Sequence, residues 1–153
     1  MMLCCEVLER LRGKTLVTAE SLTGGGIGAA ITAISGSSEV YKGGVISYTN
    51  WVKHNVLGVP LEILDTHGAV SEPVAAAMAA GVRKLLDADV SVSVTGLAGP
   101  GGDEFGNPVG TVFIGYADEK QTVVKHCLFQ GNREEVRSQT IRAALELVLE
   151  MNK

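Results

Sequence analysis

The chain lacks the features that would tie its fold to disulfides, membranes or nucleic acid. Its three cysteines, Cys4, Cys5 and Cys127, are too few and too unevenly spaced for a disulfide framework or a zinc site. The adjacent Cys4 and Cys5 fit two faces of one N-terminal helix. No apolar run approaches the roughly 18 residues of a membrane span, and the first residues lack the basic-then-apolar order of a signal peptide. No block of Lys or Arg breaks the interspersed charges, and the formal charge is −4, which argues against nucleic-acid and membrane-surface partners. Only four prolines stand beside 19 glycines, a ratio that suits tight turns and close backbone contacts rather than a disordered linker. These absences predict a soluble cytoplasmic protein.

With 153 residues, 46% of them hydrophobic, the chain suffices for one domain with a real core, and it shows no internal repeat or linker. Leu3, Val7, Leu8 and Leu11 share a face of a helix over residues 2–12, which Gly13 ends. A short strand over 15–18 precedes small residues that predict a closely packed helix over 25–34. A second strand follows at 43–48, and Asn50 fits the N-cap of a short helix over 51–57, with another turn at 61–65. Ser71 and Pro73 open the clearest helix, striped by Val74, Ala77, Met78, Gly81, Val82 and Leu85. The period-2 stretch Asp89–Thr95 predicts a third strand, strands at 109–117 and 122–129 form a hairpin, and a last helix spans 133–151. Alternating elements closed by a hairpin predict an α/β fold, a three-layer α/β/α sandwich on a mixed five-stranded sheet.

The stretch TAESLTGGG, residues 18–26, holds the most chemistry. Gly24, Gly26 and Ala29 match G-x-G-x-x-A between a strand and a helix. At least four residues, 20–23, separate strand from first glycine, however, and the second strand ends without an acid to hold a ribose. No G-K-[S/T] follows, so a P-loop is excluded. Ser21 is left as either a helix cap or a nucleophile, and a serine nucleophile needs a base. His54, His67 and His126 offer no His–Asp pairing and read as structural.

A lysine can replace histidine in that role. Lys53 falls three residues after Asn50, near Tyr48 at the carboxyl end of the second strand, and burial would lower its pKa. On spacing alone the simpler reading is a solvated Lys53 and a core Tyr48. Thr95 ends the third strand and opens a glycine-rich loop (Gly96, Gly99, Gly101, Gly102) able to present N–H groups to an anion, although residues 103–106 also read as a mobile segment. Arg133 and Arg137 lie one turn apart on the last helix and can share a phosphate, or simply face Glu134 and solvent.

Five ordered blocks, TAESLTGG, GGVISYTNWVKHNVLGV, HGAVSEPVA, TGLAGPGG with NPVGTV, and FQGNREEVR, together resemble the CinA C-terminal domain family. Its stand-alone members include nicotinamide-nucleotide amidases. The resemblance runs nearly end to end and implies hydrolysis of the carboxamide of nicotinamide mononucleotide to the acid and ammonia, without cofactor or metal. It implies Ser21 as nucleophile, Lys53 as general base and Tyr48 as a supporting group that orients Lys53 or relays its proton. Leu22, Thr23, Gly24 and Gly25 become candidate oxyanion donors, and Thr95, Gly96, Gly99 and Arg137, or else Arg133, candidate substrate contacts. A homodimer or higher homo-oligomer is also implied. Leu22 stands where the family commonly has cysteine, and Asn107 where it has a basic residue. The resemblance covers one domain, so the pyrophosphatase activity associated with a larger N-terminal domain in many relatives is not expected. Two further readings remain, a non-catalytic nucleotide-binding or regulatory domain and an amidase for another small carboxamide.

Overall fold

The Val–Ser alternation over residues 90–94 does not separate core from solvent. Every one of these five residues is buried. In the computed structural model, which describes residues 2–153, the valines face one core and the serines meet a helix. Ser91 Oγ donates to Ala79 O at 2.6 Å and Ser93 Oγ to Ala75 O at 2.7 Å. The hydroxyls therefore act as satisfied spacers that let a helix sit close on the sheet. Gly115 on the neighbouring strand completes that fit, because a β-carbon there would collide with Ala75 O.

The elements run α1 (Met2–Arg10), β1 (Leu16–Glu20), α2 (Gly26–Thr32), a 3-10 turn (Ser37–Glu39), β2 (Tyr41–Ile46), α3 (Asn50–Asn55), α4 (Leu61–His67), α5 (Glu72–Leu85), β3 (Val90–Gly96), β4 (Thr111–Ala117), β5 (Thr122–Leu128) and α6 (Arg133–Met151). Strand order is β2-β1-β3-β4-β5; β1 pairs in parallel with β2 and β3, and β3–β4 and β4–β5 are antiparallel. One core joins Val7 of α1 and Leu11 just after it, Ile27 and Ile31 of α2 and Val148 of α6 to the sheet. The other gathers Val17 and Ala19 of β1 with Leu64 of α4 and Val74, Met78 and Val82 of α5. This is the predicted mixed sandwich. Cys4 is buried and Cys5 exposed, as two faces of α1 require.

The strand ends differ from the sequence reading in a way that matters for the site. β1 continues to Glu20, because Glu20 still pairs with both Ile46 and Val94. β2 starts and stops two residues early, which releases Ser47 and Tyr48 from the ladder. The 3-10 turn was missed, since Ser37–Glu39 carries no apolar periodicity.

On the opposite face α5 approaches the 57–59 segment so closely that a β-carbon on Gly81 would strike Leu57 O. Gly81→Ala is therefore expected to destabilise the fold by about 2 kcal/mol or more, because backbone cannot yield as a side chain does. Urea melts of the two proteins check it. No helix of the described residues is long and apolar enough to cross a membrane.

Candidate active site

Three parallel strands deliver their carboxyl ends to one edge of the sheet. Beyond the last ladder pairs, Ser21 N–H donates to Val94 O at 3.0 Å and Ser47 N–H to Glu20 O at 2.8 Å. The residues that follow β1 and β2 are thus stitched to β3 and β1. Sites of open α/β sheets gather at this edge, where connections leave a central strand for opposite faces.

Lys53 reaches the edge from α3. The residue that caps α3 is Thr49, whose hydroxyl accepts from Val52 N–H at 3.4 Å; the predicted cap, Asn50, is already helical. Thr49 wins because its extended backbone (φ −110°, ψ 161°) can fold the oxygen back over the first turn. One turn on, Lys53 points inward and is 1% exposed. Its Nζ donates to Ser47 O at 2.8 Å and lies 3.0 Å from Ser21 Oγ, also as donor. Burial lowers the Lys53 pKa from 10.5 to about 8, because the charged form loses its water. The solvated lysine favoured by spacing alone is ruled out.

Tyr48 is the converse case. It is 58% exposed rather than in the core, and its hydroxyl accepts from Arg133 at 3.2 Å. The contact foreseen between Tyr48 and Lys53 is made instead by the carbonyl of Ser47, a residue that sequence reasoning missed. Any residue has a carbonyl, so no side-chain signal announces that role. Arg133 also donates to Gly99 O at 2.6 Å, tying α6 to the glycine-rich loop across the mouth of the cleft.

The cleft encloses about 310 Å³ and brings together Ser21, Leu22, Tyr48, Lys53, Thr95, Gly96, Gly99 and Arg133. Thr95 is buried and donates to Ala69 O at 2.8 Å, so its hydroxyl ties the end of β3 to the segment before α5. Thr23, Gly24, Gly25 and Arg137 do not line the cleft. Arg137 faces the back of the nucleophile turn, donating from Nε to Leu22 O at 2.9 Å and from Nη2 to Thr23 O at 3.0 Å. It does not share an anion-binding surface with Arg133.

The turn itself narrows the oxyanion candidates. Gly24 N–H is engaged by Ser21 O at 3.1 Å, which removes it. Leu22 and Thr23 are 4% and 0% exposed, yet their N–H groups have no hydrogen-bond partner among the described residues. Buried N–H groups are almost always paired, and of the two only Leu22 lines the cleft, so its orphan N–H directly after the serine marks a place where an acceptor arrives. Gly25 caps α2 with φ 98°, a left-handed conformation that swings the chain from the turn into the helix.

The far side of the loop is ordered rather than loose. Asp103 accepts from Phe105 N–H at 3.1 Å and from Asn107 N–H and Nδ2 at 2.9 and 2.8 Å. Although partial burial pushes its carboxyl up, these bonds prevail and hold its pKa below the usual carboxylate value. Asn107 also donates to Val70 O at 3.1 Å, so the residue that departs from the family pattern fastens the loop. His54 bonds Val59 O and His126 stacks on Phe113, both away from the cleft. Among the described residues no group of three His, Cys, Asp or Glu could hold a metal ion. A larger groove of about 750 Å³ runs beside α1 and α6, but it contains no nucleophile beside a base.

Comparison with known proteins fits this arrangement. The family model described as "CinA C-terminal domain" matches residues 3–152. Putative competence-damage inducible proteins of Geobacillus kaustophilus and Desulforudis audaxviator are 46% and 44% identical, over 95% and 90% of this chain. The matches cover 36% and 33% of those proteins, so the chain spans about a third of the curated relatives' length. Among solved structures, the competence damage-inducible protein A of Klebsiella pneumoniae superposes with a TM-score of 0.95 at 40% identity, over 97% of this chain and 94% of that one. The competence/damage inducible protein of Agrobacterium tumefaciens gives 0.96 at 38% identity, over 99% and 94%.

Proposed function

The chain belongs to the CinA C-terminal domain family, and from that premise we propose that it is an amidohydrolase converting nicotinamide mononucleotide to nicotinate mononucleotide and ammonia. The observation that carries this reading is the buried Ser21–Lys53 pair, 3.0 Å between Oγ and Nζ, with the amine pKa lowered to about 8. A lysine in that state has an appreciable neutral fraction near neutral pH, and its lone pair then accepts the Ser21 proton.

Ser21 Oγ attacks the carboxamide carbon as its proton passes to Lys53 Nζ, which Ser47 O holds in line. The carbonyl oxygen becomes an oxyanion beside the unpaired N–H of Leu22, which lines the cleft; such a donor contributes roughly 3 kcal/mol. Collapse breaks the C–N bond, the Lys53 ammonium protonates the departing amine to ammonia, and an ester on Ser21 remains. Lys53, neutral again, takes a proton from water, whose oxygen attacks the ester, and the acid leaves as Ser21 recovers its proton. Arg133, at the mouth and without a carboxylate partner among the described residues, supplies the charge for the substrate phosphate.

The test is ammonia release from nicotinamide mononucleotide against nicotinamide riboside and free nicotinamide. The reading expects the mononucleotide to be preferred, and Arg133→Ala to raise KM for it by about tenfold or more with little change for the riboside. Equal use of all three would assign another carboxamide. Phosphate-ligand binding without ammonia, and without labelling of Ser21 by a serine-reactive phosphonate, would mean a non-catalytic binding domain.

A further inference from the structure

We propose that Glu20 and Arg137 are positioning residues that grip the nucleophile turn from its two sides, and that neither binds substrate. The inference rests on Ser21 being the nucleophile, as argued above.

Glu20 precedes Ser21, is 2% exposed, and has its carboxylate filled by four donors. Oε1 accepts from Thr23 Oγ1 at 2.6 Å and Ile27 N–H at 2.7 Å; Oε2 accepts from Gly28 N–H at 3.0 Å and Thr18 Oγ1 at 3.2 Å. α2 begins on a glycine that has no side chain to cap it. Two of the orphan N–H groups of its first turn are satisfied by the last residue of β1 instead. The same carboxylate oxygen that holds Ile27 holds Thr23, so strand end, turn and helix start share one anchor.

Arg137 acts on the carbonyls of the same turn. Within a trans peptide the C=O and the following N–H lie in one plane and point opposite ways. Fixing Leu22 O toward Arg137 therefore fixes Thr23 N–H away from it, and fixing Thr23 O does the same for Gly24 N–H, which closes the turn on Ser21 O. A flipped Leu22–Thr23 peptide would replace a donor with a carbonyl. Carboxylate on the donors and guanidinium on the carbonyls leave the turn one conformation. The two side chains make no ion pair with each other; they cooperate through the backbone between them.

Glu20→Gln, Arg137→Lys and Arg137→Ala test this together. Gln keeps one acceptor oxygen but turns an N–H toward Gly28 N–H; Lys keeps the charge of Arg137 but not its two-pronged reach. The rate per active site is read after titrating Ser21 with a phosphonate probe, which separates slow sites from unfolded ones. Each variant is expected to label fully but slowly and to lose about 10- to 100-fold in kcat, with KM within about threefold, the scale of a misplaced reacting group. The pH midpoint of activity should stay that of the parent, since Lys53 is untouched. Amide hydrogen exchange gives a readout independent of substrate: Ile27 and Gly28 should exchange about tenfold faster or more in Glu20→Gln while Val92 and Val94 do not change. Should the parent label at Ser21 yet release no ammonia from the mononucleotide, the substrate assignment fails, while labelling rates and exchange still decide this proposal. Wild-type labelling rates and exchange in all three variants would overturn it, as would a raised KM with unchanged kcat in Arg137→Ala, which would make Arg137 a substrate ligand.

Discussion

Lys53→Met is expected to end ammonia release and to leave the fold about as stable as the parent, or more so. As general base for both acylation and deacylation, Lys53 should account for on the order of 10³-fold or more in rate. Its surroundings oppose its charge, for it is 1% exposed and has no carboxylate partner among the described residues. Methionine fills a similar elongated volume without an amine to dehydrate. The cost is the bonds to Ser47 O and Ser21 Oγ, whose loss takes about 1–3 kcal/mol from the folded state. Against it stands the burden of protonating a buried amine at neutral pH, roughly 3 kcal/mol for a pKa lowered from 10.5 to about 8. Ser21→Ala should match the loss of activity with a change in stability below about 1 kcal/mol, since it deletes one small group. Calorimetry at pH 7 beside the ammonia assay checks both. A Lys53→Met protein that melted well below the parent, or one that still turned over, would make Lys53 structural. Buried groups that strain a fold for the sake of chemistry are where activity and stability diverge.

The same contrast explains which parts of the molecule were legible in advance. α6 was read to its residue limits because its signals are local: an apolar stripe, and a start at Asn132 where the side chain caps Glu135 N–H and Glu135 returns the bond. The sandwich was legible because alternating helical and strand periods leave few ways to bury both faces of a sheet. Lys53 was read as solvated because α3 has six residues, too few for periodicity to tell inside from outside, and Tyr48 was read as core on a strand that stops two residues before it. Lys53 is turned in by the carbonyl of Ser47, and Tyr48 is held out by Arg133, 85 residues away in sequence. Arg137 looked like a twin of Arg133 on one helix face. In the fold, one turn of rise separates the mouth of the cleft from the back of the nucleophile turn. The donors of Glu20 were not legible from sequence, because the four are gathered only when β1, the turn and α2 are in place.

Activity should climb about tenfold per pH unit below pH 8 and level off above it, as the neutral fraction of Lys53 grows. Stability should move in the same direction over a higher window. In the unfolded chain the amine keeps its proton up to its ordinary pKa of 10.5, whereas in the fold it releases it at about 8. Between those values the unfolded state binds more protons, so raising the pH stabilises the fold, by roughly 3 kcal/mol in all. Below about pH 8 both states are protonated and the penalty is constant. The informative quantity is the difference between parent and Lys53→Met. That difference should be flat from pH 6 to 7.5 and then shift in the parent's favour up to pH 10.5, while the rate of the parent has already reached its plateau. An activity midpoint near 8 without the stability shift would assign the titration to a group other than Lys53. The shift without the midpoint would leave Lys53 buried but not the base. Only the two together make one amine responsible for both curves.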